Sequence, residues 1–523
     1  MKTINIRLFV LLVFGLAITG FTKTIAMENS LIDLKWSDNI KSYPIFIQSS
    51  IIHVTEDYIY YFQGFGEMKA VGTSEGLIKY DRKNGVINTS PIKLQTNKIT
   101  RVRLYVCVND DSIHVISYFN NRLQNSVYIF DETYNINTLE SNNDVHKISE
   151  IEYDKTNLTN SNDIYIKMKK NEYVANSIGL YYFYETKNEY IHGHQVFDYK
   201  FTLKAKYKRP TDKRTLIPNY VFDREDNLYT IERYNESGTS TDYKSSEVRL
   251  VYSPKDGSSP VIRNIELENN FIVEQTLSIN NLNQVICSGL FSKKGTQSAI
   301  GGFSIITSHA LTNKDIITKT DFNIELIIEG KSKKESEDIK KNIALGKNFD
   351  GDYSYTIHDI HFRKDGGYTM LVDKNAKSYG GKGNYDYYYG DFYILSFDSL
   401  GKSQWTQKIF RRQTIGDSGF NEHILGGYLI DYGKDDNITI IYNILNSGVF
   451  ISQDEKINNT IVFKVDTYGN KTRNILISDE KVAKVFSPEI SYSCGNGEFI
   501  VTKFNFLSNM LKNTLNFGEL TIK

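Results

Sequence analysis

The chain has only 3 Cys, 7 Pro, 6 Met and 2 Trp in 523 residues, and its 62 basic residues are balanced by 62 acidic ones. Each shortage removes a class of protein. Cys107, Cys287 and Cys494 are too few and too far apart for a disulfide framework, and two of them fall in strand-like segments, where a thiol serves as a small hydrophobe. Zero formal charge leaves no global field to collect nucleic acid or an anionic bilayer, so neither is expected as a partner. Zinc-protease chemistry would need His-Glu-x-x-His, and nucleotide binding a Walker or dinucleotide glycine loop; the chain has none of these.

Long apolar runs are missing too, with one exception at the N-terminus. Lys2 and Arg7 precede an apolar stretch from Leu8 to Phe21, and Thr24-Ile25-Ala26 follows it. The stretch falls short of the roughly 20 residues that span a bilayer. A basic start, a short apolar core and small residues at the cleavage positions form a signal peptide. Residues 1–26 are therefore expected to be removed, leaving 27–523 as an exported chain with no stable membrane insertion. No cysteine follows the apolar core, so a lipid anchor is not expected.

What is abundant points to strands. The sequence carries 37 Tyr and 29 Phe, and aromatic and β-branched side chains suit a pleated surface better than a helix. Nearly 500 residues exceed one ordinary core, which calls for several domains or a repeat. A repeat is present: an alternating segment, a tight turn of Asp, Asn or Gly, then a second run rich in Tyr, Ile, Val and Phe. Copies occur at 53–62, 106–118, 221–234, 277–291, 361–372, 429–442 and 492–503, with a weaker one near 163–167. Asp, Asn and Gly tolerate the positive φ that such hairpins require. A second hairpin follows most copies, at 77–87, 127–137, 248–262, 392–409 and 461–475. Four strands per unit predict an all-β propeller of seven or eight blades; tandem β-sandwiches are the alternative. The charged segment Lys331–Lys341 reads as helical or unstructured and as a solvated insertion.

Within the later units, Phe362-Arg363-Lys364-Asp365-Gly366-Gly367-Tyr368 is followed by Tyr387-Tyr388-Tyr389-Gly390-Asp391-Phe392, then by Gly401-Lys402-Ser403-Gln404-Trp405 and Lys408 with Gln413. This succession resembles secreted, functionally uncharacterised β-propeller-like proteins of the Bacteroidetes type, with an Asp-Gly-Gly hairpin, a Gly-x-x-x-Trp turn and a Lys-x-x-x-x-Gln tail. The resemblance covers about a quarter of the chain. It implies export and fold, and it implies no activity, because the motifs are structural.

Candidate sites are sparse. The histidines include His192 and His194, and His358 and His361; His192 and His194, two apart, share one face of a strand and could both reach a metal, but no further ligands are marked, and strand histidines are the plainer reading. Asp350-Gly351-Asp352 and Asp435-Asp436-Asn437 offer oxygen ligands for calcium without the closing Glu of a calcium loop, so no cofactor is expected. The glycine-rich stretch 378–390 displays Tyr379, Tyr385, Tyr387 and Tyr389, with Arg411 and Arg412 close behind. Tyrosines on a propeller rim can stack on sugars or grip a protein at low entropic cost. These six residues are the predicted ligand-binding set. The expectation is a monomeric binding module for a protein or glycan; a scaffold component of a surface assembly, or a glycan-active hydrolase or lyase built from scattered residues, are the alternatives.

Overall fold

The computed structural model describes residues 32–36, 40–41, 50–63, 75–85, 87–96, 99–154, 164–170, 177–235, 247–312, 315–351, 353–381, 384–411, 413–416, 427–446, 459–477, 484–488, 490–505 and 514–522. The segment read as a signal peptide lies outside them. Among the described residues no helix is long and apolar enough to cross a membrane.

Eight antiparallel blades of four strands form a β-propeller. Blade one is Ser50–Val54, Tyr58–Gln63, Gly76–Asp81 and Ile87–Pro91. Blades two to seven occupy 102–152, 165–212, 215–265, 270–321, 354–409 and 429–477. Blade eight takes strands from both ends of the chain. Thr514–Ile522 is its third strand, and Ile32–Trp36 pairs with it antiparallel as the fourth, Ile32 opposite Ile522 and Trp36 opposite Gly518. The C-terminal strand therefore completes the last blade, and the N-terminal strand fastens the ring.

The cores explain why a ring forms. Strands such as Tyr58–Gln63 and Val285–Lys293 are buried on both faces, so each blade must be sandwiched between two others. Tyr60, Phe62 and Leu77 of blade one pack with Ile113 and Val115 of blade two. Phe392 and Ile394 of blade six pack with Ile440 and Tyr442 of blade seven. Equivalent clusters join each intervening pair. Tyr61 and Tyr80 meet Phe517 of blade eight at 5.8 and 5.3 Å between ring centres, which closes the circle. First strands touch between blades one and two, two and three, four and five, five and six, and seven and eight, which places the first strands at the axis.

Up-and-down connectivity gives the ring two different faces. Connections from first to second and from third to fourth strands lie on one face; those from second to third strands, and from blade to blade, lie on the other. Five turns on the first face share one pattern. At Asp198, Asp223, Asn280, Asp398 and Asp466 the side-chain Oδ1 accepts from backbone N–H groups two and four residues on, at 2.8–3.0 Å. The residue three on takes positive φ: Phe201, Asp226, Asn283, Gly401 and Gly469. These are Asx turns, with the side chain standing in for a backbone partner.

The second face carries the longer segments. One of them, between blades five and six, contains helix Lys333–Ala344, started by a capping box in which Ser332 accepts from the Glu335 amide and Glu335 reaches back to the Ser332 amide. The Ser-x-x-Glu spacing explains why the charged segment is helical. On the same face, Tyr368–Gly381 and Asn384–Phe397 form a hairpin longer than its blade. Gln413–Gly416 pairs antiparallel with residues 386–389 of that hairpin and parallel with 445–446 of blade seven, joining two blades into one sheet.

The residues of the structural motif stitch neighbours together. Trp405 Nε1 donates to Thr467 O of blade seven at 2.9 Å. Gly401 sits where an added Cβ would lie 2.5 Å from Ser304 Oγ of blade five. Lys408 donates to the carbonyls of Ile327 and Glu329 and pairs with Asp391.

Candidate ligand pocket

A cavity of 710 Å³ opens on the second face across blades three to six. Blade three supplies Tyr181, Phe183, Tyr190 and His192; blade four Leu216, Ile217, Pro218 and Arg233; blade five Phe271, Val273, Glu274 and Gln297; blade six Tyr353, Ser354 and Tyr355. The contributions follow from topology. Blades four, five and six present the starts of their first strands, and blade three presents the ends of a hairpin whose rings form a continuous aromatic wall. Phe183 stacks on His192 at 5.8 Å and meets Tyr190 edge-on at 6.2 Å, while Tyr181 stacks on Phe183 at 6.3 Å.

Glu274 is placed by a bulge. In strand Asn270–Ile279, Ile272 faces Phe291 and Glu274 faces Leu290, so Val273 is the extra residue. A bulge in an inner strand re-aims the side chain that follows it. Gly289 on the partner strand permits it: a Cβ there would come within 2.0 Å of Glu274 O. Burial pushes the Glu274 carboxyl up to about 7, against the opposing pull of Arg233. The Arg233 guanidinium is itself held by the carbonyls of Ile272 and Val273, at 3.2 and 3.0 Å, and by Gln275. His192 is the reverse case, because burial and Arg209 hold it down at about 4, so its ring is neutral. Its Nδ1 is 2.8 Å from the Tyr181 hydroxyl. Gly193 is required between the two histidines, since a Cβ there would enter the Tyr182 ring at 1.9 Å.

Chemically, the cavity offers half-buried aromatic faces, one carboxyl that titrates near neutrality, one fixed cation and the exposed amide of Gln297. Glu274 is the only carboxylate among the lining residues described.

The residues expected from sequence to bind a ligand are distributed differently. Tyr387 and Tyr389 lie on the long hairpin of blade six, on the same face as the cavity, and both are half-buried. Lys377 Nζ stands 4.9 Å from the Tyr387 ring centre, and the Arg411 guanidinium 5.1 Å from that of Tyr389. Tyr379 and Tyr385 face each other across the hairpin, with their side chains outside what the structure describes, as is Arg412. Arg411 is not a rim residue and the expectation of a surface contact is corrected: it is fully buried. Its guanidinium pairs with Asp373, donates to Gly390 O at 3.1 Å and lies 3.9 Å from the Phe392 ring centre. These contacts hold Arg411 inside blade six.

The histidine pairs do not converge on a metal. His192 and His194 share a strand face and are both buried, but among the described residues no third ligating side chain joins them. His358 is the extra residue of a bulge between Ile357 and Asp359, 3.5 Å from Asp373, whereas His361 stacks on Tyr432 at 4.0 Å. The acidic turns are also engaged: Asp350 binds Lys374 at 2.5 Å and the Tyr355 hydroxyl, and Asp436 accepts from the Lys364 amide at 3.0 Å. All three cysteines are free thiols. Gly72-Thr73-Ser74-Glu75-Gly76 matches the serine-hydrolase pattern Gly-x-Ser-x-Gly, but Gly76 opens the third strand of blade one, whereas a nucleophile elbow needs a strand-to-helix turn.

No protein-family model and no curated protein matches the chain. Solved structures do. The polysaccharide lyase Uly1 is 11% identical, with a TM-score of 0.36 over 92% of this chain and 100% of that one. The β-propeller domain of the Trilobed protease from Pyrococcus furiosus is 8% identical, with a TM-score of 0.35 over 85% of this chain and 99% of that one. The α-L-arabinofuranosidase Arb93A from Fusarium graminearum is 10% identical, with a TM-score of 0.29 over 69% and 92%. Likenesses this weak transfer no activity.

Proposed function

We propose that the protein is an exported binding module that holds a glycan in the cavity of blades three to six. One observation carries this reading: a 710 Å³ concavity, of ordinary ligand-site size, combines the half-buried rings of Tyr181, Phe183, Tyr190, Phe271 and Tyr353 with Glu274, Arg233 and Gln297. Sugar rings present one apolar face and a rim of hydroxyls, so they match aromatic planes flanked by a few fixed hydrogen-bonding groups. A protein partner would instead need a broad patch, above about 1,000 Å² of buried surface. The tyrosine hairpin of blade six stands on the same face and extends the surface available to a longer chain. Export rests on residues 1–26.

The test is a glycan-array screen of the chain from Met27, followed by titration of the best oligosaccharide against Tyr190→Ala and Phe271→Ala. Each variant should weaken binding by roughly tenfold, the worth of one lost stacking contact. Undiminished affinity in both would remove the cavity from consideration.

A second reading has its own observation. A carboxyl near pKa 7 is suited to proton transfer at neutral pH, and Glu274 would carry it. Paired-carboxylate glycoside hydrolysis needs a second acid in reach, which the described lining does not contain. Product release from a bound oligosaccharide that Glu274→Gln abolishes while retaining affinity would establish catalysis.

A further inference from the structure

On the face opposite the cavity, blade four meets blade five at a cluster of three ligating groups. Asp223 follows strand Thr215–Phe222 and is almost fully buried; its Oδ1 accepts from the Glu225 and Asn227 amides, and its Oδ2 from Asn227 Nδ2 at 3.0 Å. His309 follows strand Gly301–Thr307 of blade five. Its Nε2 lies 3.1 Å from Asp223 Oδ2 and 3.4 Å from Glu225 Oε2. One ligand atom from each of the three residues falls within 4.8 Å of the others, and this is the one such group among the described residues.

The donor set points to the ion. His309 Nε2 lies 3.1 Å from Asp223 Oδ2, a hydrogen-bond distance, and 3.4 Å from Glu225 Oε2, separations compatible with the about 3.3–3.4 Å between ligand atoms of a zinc held tetrahedrally at about 2.0–2.1 Å. One imidazole nitrogen with two carboxylate oxygens also favours a first-row transition cation; calcium and magnesium prefer all-oxygen shells. Asp223 is prepositioned by its turn, which lowers the ordering cost of binding, while Glu225 and His309 are open to solvent, with side chains 66% and 40% exposed, so an ion can enter and keep a water as its fourth ligand. We propose that Asp223, Glu225 and His309 form a zinc site that clamps blade four to blade five. The site is independent of the glycan pocket and serves the rigidity of the ring. It differs from a metal-free arrangement, in which His309 would bond the two carboxylates directly.

The experiment is calorimetric titration of the chelator-treated full chain with zinc chloride, alongside His309→Ala and Glu225→Gln, with melting temperature read in parallel. Both substituted side chains are exposed and leave the backbone bonds of the turn intact, so the variants fold. One zinc per wild-type chain is expected, with affinity at least tenfold weaker in each variant, and a zinc-dependent rise in melting temperature in the wild type alone, because an ion that binds only the folded state stabilises it. Equal zinc uptake by wild type and both variants, or none by any, overturns the proposal. So does a His309-dependent stability that is indifferent to zinc, which would identify direct bonding of His309 to the two carboxylates.

Discussion

The two faces of this ring are made by opposite strategies. On one, five Asx turns repeat nearly the same hydrogen bonds, with Oδ1 to amide distances of 2.8–3.0 Å. On the other, the elements vary: a helix, a long tyrosine hairpin and a bridging strand occur between or within particular blades, and the bulged first strands of blades four to six line one cavity. Repetition on the first face is what turns need when their shared task is to reverse the chain, and the Asp223 turn adds the proposed zinc ligands to that task. Variation on the second is what a site needs when each blade must offer a different side chain. Even within the repeated turns the positive-φ residue varies. At Phe201, an uncommon residue for that region, burial against His114, with ring centres 5.0 Å apart, holds the conformation.

The comparison can be broken by mutation, and the largest effect is expected where the variable face hides charge. Replacing Arg411 by Met leaves the buried Asp373 without its cation, and breaking a buried pair in this way costs about 3–5 kcal/mol. Urea unfolding should show that loss, and a change under about 1 kcal/mol would mean that Arg411 is not holding blade six. Next comes Gly289→Ala, which forces a Cβ into the Glu274 carbonyl. Overpacking of this kind costs about 1–3 kcal/mol and should also disturb the bulge, so ligand affinity should fall with stability. On the repeated face, Asp466→Ala removes acceptors for the Tyr468 and Asn470 amides and should cost about 1–2 kcal/mol while leaving ligand affinity unchanged. Coupled losses at Asp466 would mean that the two faces are not separable.

The subtlest expected effect is a pH dependence. Because burial raises the Glu274 pKa from 4.5 to about 7, the folded chain keeps a proton that the unfolded chain releases between those values. The resulting stability is full below pH 4.5 and is lost as pH rises through about 7. Glu274→Gln should remove this slope from the unfolding free energy. A slope that persists in the variant assigns it to another group.

The same contrast governs how much could be read from sequence. Hairpins on the repeated face announce themselves locally, since Asp, Asn or Gly flanked by alternating apolar residues specifies both turn and strands. That pattern locates the first two strands of blades one, two and four to eight, and even the faint copy near 163–167 falls on Tyr165–Lys170, the first strand of blade three. The eighth blade's closure was not legible, because it depends on Ile32–Trp36 finding a partner at the far end of the chain. Nor was the cavity. Its lining runs from Tyr181 to Tyr355, a few residues per blade, and Glu274 looks like any alternating strand residue until the bulge at Val273 turns it. The tyrosine hairpin was visible as composition, and its place on the cavity face follows from topology. Arg411 shows the limit: a loop arginine reads as exposed, and only its partners Asp373, Gly390 and Phe392, distant in sequence or across the hairpin, make it an interior cation.

The most direct measurement of the central claim is a structure of the mature chain with the tightest oligosaccharide from the array. The account predicts sugar rings lying against Tyr190 and Phe271, with hydroxyls within hydrogen-bond reach of Glu274 and Arg233. Density for the sugar elsewhere, with the cavity of blades three to six unfilled at saturating ligand, would contradict it.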